Sequence, residues 1–110
     1  MLATCHCAAI TVEASVPDGP MLECQRGVCY RYGAVWAYYP LDQVKITKAD
    51  GVEPRKYVWG RKNIELTACE RCNCLMYWWP IDEVKIKKMA LNSRMVVERG
   101  ELEGVEVKKS

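Results

Sequence analysis

The sequence lacks several features that would place it in common classes of protein. It contains no Phe and a single His, and no apolar run approaches the length of a membrane-spanning helix. The first residues have neither the basic region nor the long apolar region of a secretory signal. Helical periodicity is missing as well. These absences argue against a membrane protein, a secreted protein and a helical bundle.

Length and charge limit the number of domains and the classes of partner. The 110 residues predict a single domain, 1–110, and half of them are apolar, enough for a modest core. The formal net charge is only +2, far from the strongly basic composition of nucleic-acid or anionic-membrane binders. We therefore expect neither nucleic acid nor membrane as a partner.

Cysteine is the abundant residue, with seven copies. An odd count excludes complete pairing by disulfides within the chain, and no export signal precedes it. We expect an intracellular, reducing location in the cytoplasm, with metal-bound thiols. The alternative is a small secreted disulfide framework.

Two compact cysteine motifs complement each other as metal ligands. Cys5 and Cys7 open the chain, and Cys69 and Cys72 form a Cys-x-x-Cys turn. Four thiolates satisfy a tetrahedral structural zinc ion. If the first motif is extended, alternation directs its two sulfurs to one face and His6 to the other, so His6 is not expected to be a ligand. The prediction is one structural zinc site held by these four cysteines.

The remaining pattern is typical of short strands. β-Branched and aromatic runs bounded by Pro, Gly and Asp predict strands at 8–12, 34–39, 44–47, 56–59, 64–67, 75–79 and 84–87. The runs at 56–59 and 64–67 are typical of the two arms of a hairpin. A mainly β domain of short antiparallel strands is predicted.

An internal similarity joins the two halves. Residues 38–48 match residues 78–88 at a constant offset of 40, with the same Pro, Asp, Val, Lys, Ile and Lys. The same offset places Cys29 on Cys69. We infer two similar β units packed against each other; independent convergence of two hairpins is the alternative.

The motifs together resemble the glutathione-dependent formaldehyde-activating enzyme family, also called the CENP-V/GFA domain. The resemblance covers nearly the whole chain and rests on the segments 5–7, 24–29, 36–40, 57–60, 69–74 and 90–95. It implies an Mss4-like β-tent fold with two zinc sites, the first and third motifs holding the structural ion. The middle motif of the family supplies three thiolates to a catalytic zinc for carbon–sulfur lyase chemistry, which joins formaldehyde to glutathione as S-hydroxymethylglutathione.

This chain departs from the family in that middle motif. Cys24 and Cys29 are present, but Arg26 replaces the second cysteine, and a guanidinium cannot ligate zinc. Three outcomes are open for the pair: a weak zinc site completed by Cys74 or a bound thiol, reactive free or oxidised thiols, or inert buried sulfurs. Arg26 either binds a carboxylate of a glutathione-like ligand or extends into solvent.

Two functions follow as hypotheses. The first is a carbon–sulfur lyase acting on a glutathione or thiol–aldehyde adduct, with Cys24 and Cys29 catalytic and Arg26 binding the substrate. The second is a non-catalytic, zinc-stabilised binding module that has lost the second zinc. A nucleic-acid-binding zinc ribbon has similar turns but needs a basic face.

Overall fold

A computed structural model describes residues 1–110 as a mainly β structure, as the sequence predicts. Its strands and its helix are, in chain order, β1 Leu2–Thr4, β2 Ile10–Glu13, β3 Met21–Glu23, α1 Gly27–Tyr32, β4 Val35–Pro40, β5 Lys45–Lys48, β6 Arg55–Tyr57, β7 Ile64–Ala68, β8 Leu75–Pro80, β9 Lys88–Asn92 and β10 Val107–Lys109. Short 3-10 turns cover Leu41–Gln43, Ser93–Met95 and Arg99–Leu102. The only α-helix has six residues, and no helix is long and apolar enough to cross a membrane.

The strands form two sheets. A three-stranded sheet has the order β1-β2-β5, and a seven-stranded sheet has the order β10-β3-β4-β9-β8-β7-β6. All pairs are antiparallel except β10 with β3, which is parallel. The predicted hairpin is confirmed, because β6 pairs with β7 in antiparallel register.

Alternation along the strands of the larger sheet separates two cores. On β4, Val35, Ala37 and Tyr39 belong to one cluster, whereas Trp36 belongs to the other. The first of these clusters also contains residues of the small sheet, such as Ile10, and therefore lies between the two sheets. We call it the inter-sheet core. We call the second cluster the outer core; its buried members are Cys24, Cys29, Ala34, Trp36, Leu66, Leu75, Trp78 and Ala90.

Most predicted strands are present with ends shifted by one or two residues. The prediction for 84–87 is wrong: that segment is turn and irregular chain, and the strand begins at Lys88. In the turn, the Oδ1 of Asp82 accepts the N–H groups of Val84 (2.9 Å) and Lys85 (3.4 Å), and the carbonyl of Asp82 accepts the N–H of Ile86 (3.0 Å). These donors are used within the turn and do not take part in strand pairing.

The internal repeat does not produce two packed units. Its two aromatic strands, β4 and β8, lie in the same sheet on either side of β9. The strand that follows β4 joins the small sheet as β5, whereas the matching segment after β8 stays unpaired. Sequence similarity therefore covers strands with similar packing but not the connections between them.

Candidate metal centre and second cysteine pair

The first two cysteines lie in the turn between β1 and β2, not in a strand. The N–H of Ala8 donates to the carbonyl of Cys5 (3.0 Å), and the N–H of Cys5 donates to the carbonyl of Ile10 (3.1 Å). Ala8 has a left-handed φ of 64°. The predicted alternation is thus wrong as a mechanism, because the turn itself brings the sulfurs of Cys5 and Cys7 together.

The turn between β7 and β8 carries the other two cysteines in a related way. The N–H of Asn73 donates to the carbonyl of Cys69 (2.8 Å), and the N–H of Cys69 donates to the carbonyl of Cys74 (3.0 Å). Asn73 has a φ of 63°, a conformation that Asn tolerates better than most residues. Each cysteine turn therefore contains one left-handed residue just after its second ligand cysteine.

The four sulfurs of Cys5, Cys7, Cys69 and Cys72 all lie within 4.8 Å of one another. The Sγ of Cys7 is 3.7 Å from that of Cys5 and 3.6 Å from that of Cys69. Zinc–sulfur bonds of about 2.3 Å in a tetrahedron place the sulfurs about 3.8 Å apart, whereas a disulfide requires about 2.05 Å. The four cysteines are therefore positioned to bind one metal ion.

Backbone donors support thiolates at this centre. The N–H of Ile10 donates to the Sγ of Cys5 (3.3 Å), and the N–H of Arg71 donates to the Sγ of Cys69 (3.4 Å). Such hydrogen bonds favour the charged form of the sulfur. Cys5 and Cys69 are buried, whereas Cys7 is exposed, so one side of the centre faces solvent.

The close sulfurs also perturb one another. Desolvation raises the pKa of Cys72, but hydrogen bonds from the Cys7 and Cys74 backbones outweigh it and lower that pKa to about 6. A backbone hydrogen bond from Ala9 favours the Cys7 thiolate, yet desolvation and the nearby sulfurs of Cys69 and Cys5 raise the pKa of Cys7 to about 12. Thiols packed this closely cannot all ionise independently, because neighbouring thiolates repel one another. A bound cation would offset this repulsion.

Two neighbouring residues lie outside the four-sulfur group. His6 is exposed and is not among the residues that could hold an ion, as the sequence predicts. Cys74 is half-buried in the same turn as Cys69 and packs against the inter-sheet core. The hypothesis that Cys74 completes a zinc site with Cys24 and Cys29 is therefore wrong, because the latter two belong to the outer core on the other face of the sheet.

Cys24 and Cys29 form a second cysteine pair. Cys24 follows β3, Cys29 lies in α1, and both are buried against Trp36. Burial raises the pKa of Cys29; the Trp36 side chain opposes the shift, and the nearby Cys24 adds to it. The sequence pattern predicts no strand or helix in this segment, whereas the structure has β3 just before Cys24 and α1 around Cys29.

Arg26 is the residue immediately before α1, and its side chain is exposed. Its positive charge nevertheless lowers the pKa of Cys29, against the larger effect of burial. Tyr38 faces the same place: desolvation raises its pKa, the charges of Cys24 and Cys29 add to the rise, and Arg26 opposes it. Arg26 is therefore both solvent-accessible and close to the pair.

The second pair does not fit a three-thiolate zinc site. No third Cys, His, Asp or Glu joins Cys24 and Cys29 in a group that could hold an ion. A catalytic zinc usually has three protein ligands and an open position. Two sulfurs and an adjacent guanidinium do not meet that requirement, so no reaction step at this pair is assigned to a metal.

A positioning network that the sequence alone does not reveal secures the pair. The Nδ2 of buried Asn92 donates to the carbonyl of Leu75 (2.9 Å), and its Oδ1 accepts the N–H of Val35 (3.3 Å). Arg94 donates through Nε to the carbonyl of Gly33 (2.6 Å), the residue that ends α1. The segment Asn92 to Arg94 therefore joins three strands of the sheet and fixes the end of the helix that carries Cys29.

Comparison with known proteins defines the fold more than the function. No protein-family model and no curated protein matches the sequence. A crystal structure of a Rhodobacter sphaeroides protein, determined by structural genomics, is similar with a TM-score of 0.76 and 20% sequence identity. The similarity covers 98% of this chain and 100% of that chain. At this identity the likeness establishes the fold, and no function is stated for that protein.

Proposed function

We propose that this protein is a zinc-structured domain of the CENP-V/GFA kind. In this proposal Cys5, Cys7, Cys69 and Cys72 hold one structural Zn²⁺ ion. The observation that carries the proposal is the convergence of four sulfurs, 3.6–3.7 Å apart along two edges, from two turns separated by 62 residues. Thiolates are soft donors, and a four-sulfur tetrahedron suits zinc.

Metal analysis of the purified protein tests this proposal. We expect about one zinc ion per chain, and Cys69→Ser should lower that ratio to near zero. Cys74→Ser is the matched control, because Cys74 lies in the same turn but outside the four-sulfur group. Zinc-free protein that keeps its fold, or equal losses in both variants, would contradict the proposal.

A second candidate function is carbon–sulfur lyase chemistry at the pair of Cys24 and Cys29. The observation that favours it is the exposed Arg26 close to two buried thiols that share a cluster with Trp36. The reaction joins a thiol to an aldehyde: a carbon–sulfur bond forms at the carbonyl carbon, and the thiol proton is transferred to the carbonyl oxygen. Arg26 supports binding of a ligand carboxylate, as in glutathione, by charge-assisted hydrogen bonds.

An assay with glutathione and formaldehyde separates the lyase from a binding module without catalysis. Turnover that disappears in Cys29→Ser would support the lyase. Glutathione binding without turnover, weakened by Arg26→Ala, would support the binding module, and the raised pKa of Cys29 favours this outcome because the thiolate is the reactive form. The lyase proposal fails if turnover persists in Cys29→Ser, and the glutathione site fails if Arg26→Ala binds as wild type does.

A further inference from the structure

The Val-Lys-Ile segments of the two repeat copies adopt different structures, and the proposed function does not explain this difference. In the first copy the Val-Lys-Ile segment continues into β5, which pairs with β2. In the second copy the segment 84–87 makes no strand pairing, and Val84 is 81% exposed. The same residues thus form part of a sheet in one copy and a surface segment in the other.

A groove lies between this segment and the end of β4. The groove is shallow and open to solvent, with a volume of about 520 Å³. Its lining consists of Tyr38, Tyr39, Pro40, Lys85, Ile86, Lys87 and Lys88. The second copy of the repeat therefore supplies most of one wall.

The charge of the groove has one sign. Lys85, Lys87 and Lys88 are all exposed, no carboxylate belongs to the lining, and none of the three lysines forms an ion pair. Lys88 places its Nζ 5.1 Å from the centre of the Tyr38 ring, within the range of a cation–π contact. Three ammonium groups without a carboxylate partner favour an anion at this place.

The floor of the groove is apolar and fixed. Ile86 is half-buried against the outer core. The Tyr38 ring packs edge-to-face on Trp78, with centroids 6.2 Å apart. A ligand that only carried charge would leave this floor uncovered, whereas a flat apolar group would cover it.

We propose that this groove binds a small amphipathic anion, such as an aryl carboxylate. Its apolar body lies on Tyr38 and Ile86, and its charge is balanced by Lys85, Lys87 and Lys88. The three lysines lie within four consecutive residues, which favours one compact charge over a polymer, and the net charge of only +2 agrees with that choice. The inference does not depend on chemistry at Cys24 or Cys29.

Binding of 1-naphthylacetate to the full, metal-loaded protein tests the inference by calorimetry, with the neutral 1-naphthylacetamide as the matched ligand. We expect saturable binding of the carboxylate and much weaker binding of the amide. Replacing all three lysines together (Lys85→Gln, Lys87→Gln, Lys88→Gln) should weaken carboxylate binding by about tenfold or more, since each exposed charge contributes up to about fivefold. The corresponding Arg replacements should retain it.

A second triple variant tests whether the loss of carboxylate binding comes from the groove or from the change in net charge. The combined Lys45→Gln, Lys48→Gln and Lys108→Gln variant changes the net charge equally at exposed lysines outside the groove and should bind as wild type does. Three results would each overturn the inference: no saturable binding of the carboxylate, equal binding of the amide, or equal losses in the two Gln variants. Thermal unfolding of each variant confirms that it remains folded.

Discussion

The two cysteine groups occupy opposite faces of one sheet and differ in how their sulfurs are brought together. The four-sulfur centre combines two turns from distant parts of the chain, each with its own left-handed residue. The pair of Cys24 and Cys29 comes from a single short segment that packs on aromatic side chains. Two turns direct four sulfurs at one point, whereas the end of a strand and a short helix bring only two sulfurs together. Cysteines are thus positioned to bind a metal ion on one face and form part of a packed core on the other.

The largest expected effect comes from removing the metal. A structural zinc contributes about 10–16 kcal/mol, comparable to the whole stability of a domain, about 5–15 kcal/mol. Chelation should therefore unfold the protein, as measured by circular dichroism during titration with a strong chelator. The Cys24→Ala and Cys29→Ala double variant should still contain about one ion per chain before chelation. A folded double variant without the ion would show that the two groups act as one site.

Truncation of a large side chain in the outer core should lower the stability of the protein without changing its metal content. Trp36 is 1% exposed in the outer core, so Trp36→Ala should lower the free energy of unfolding by about 3–5 kcal/mol. The variant should still bind about one metal ion per chain, because the four-sulfur centre lies on the opposite face. Denaturant unfolding and metal analysis of the same sample provide the two measurements. Loss of the metal from folded Trp36→Ala protein would contradict this separation.

The third prediction concerns the reactivity of Cys29. Burial raises its pKa above the ordinary value of 9.0, so folding favours the thiol form. The stability that this provides is fully present below pH 9.0 and is lost as the pH rises through the folded pKa. We expect alkylation of Cys29 by iodoacetamide at pH 8 to be slower in the folded protein than in denaturant, with mass spectrometry as the readout. Equal rates in the two states would show that burial does not protect the thiol.

The smallest expected effect comes from the backbone of the first cysteine turn, at Ala8. Ala8 adopts a φ of 64°, which costs an L-residue about 1–2 kcal/mol. Glycine removes that cost but loses about 0.4–1 kcal/mol through the greater freedom of the unfolded chain. Ala8→Gly should therefore raise the free energy of unfolding by between about 0 and about 1.6 kcal/mol.

Ala9→Gly is the control for this measurement in denaturant. Ala9 is buried and has no left-handed φ, so glycine should only destabilise the protein there. A loss of stability in Ala8→Gly as large as that in Ala9→Gly would show that the turn is not strained at Ala8.

The sequence predicts the four-sulfur centre well because local spacing carries most of the information. Cys69 and Cys72 need only one turn between them, and the pairing with Cys5 and Cys7 follows from the number of donors that a tetrahedral ion requires. The mainly β fold is likewise predicted by short β-branched and aromatic runs. Local signals suffice for each turn, and the number of donors that the ion requires links the two turns.

The sequence does not predict the structure where tertiary contacts determine it. The segment 84–87 repeats the pattern of β5, and Asp82 matches Asp42, but only β5 has a neighbouring strand, β2, with which it pairs. The placement of Cys29 on the outer face depends on which side of the sheet α1 packs, a choice that no spacing in the sequence encodes. Likewise, the bonds of Asn92 join strands whose order in the sheet is unknown until the fold is known.

The long separation between the two metal turns has a consequence during synthesis of the chain. The sulfurs of the first hairpin leave the ribosome 62 residues ahead of Cys69, and during that interval they lack the other half of their site. The nascent chain therefore cannot close a four-coordinate centre until Cys72 has been made. Ion capture accordingly waits for the second turn, and the ion joins two segments whose translation is separated by 62 residues.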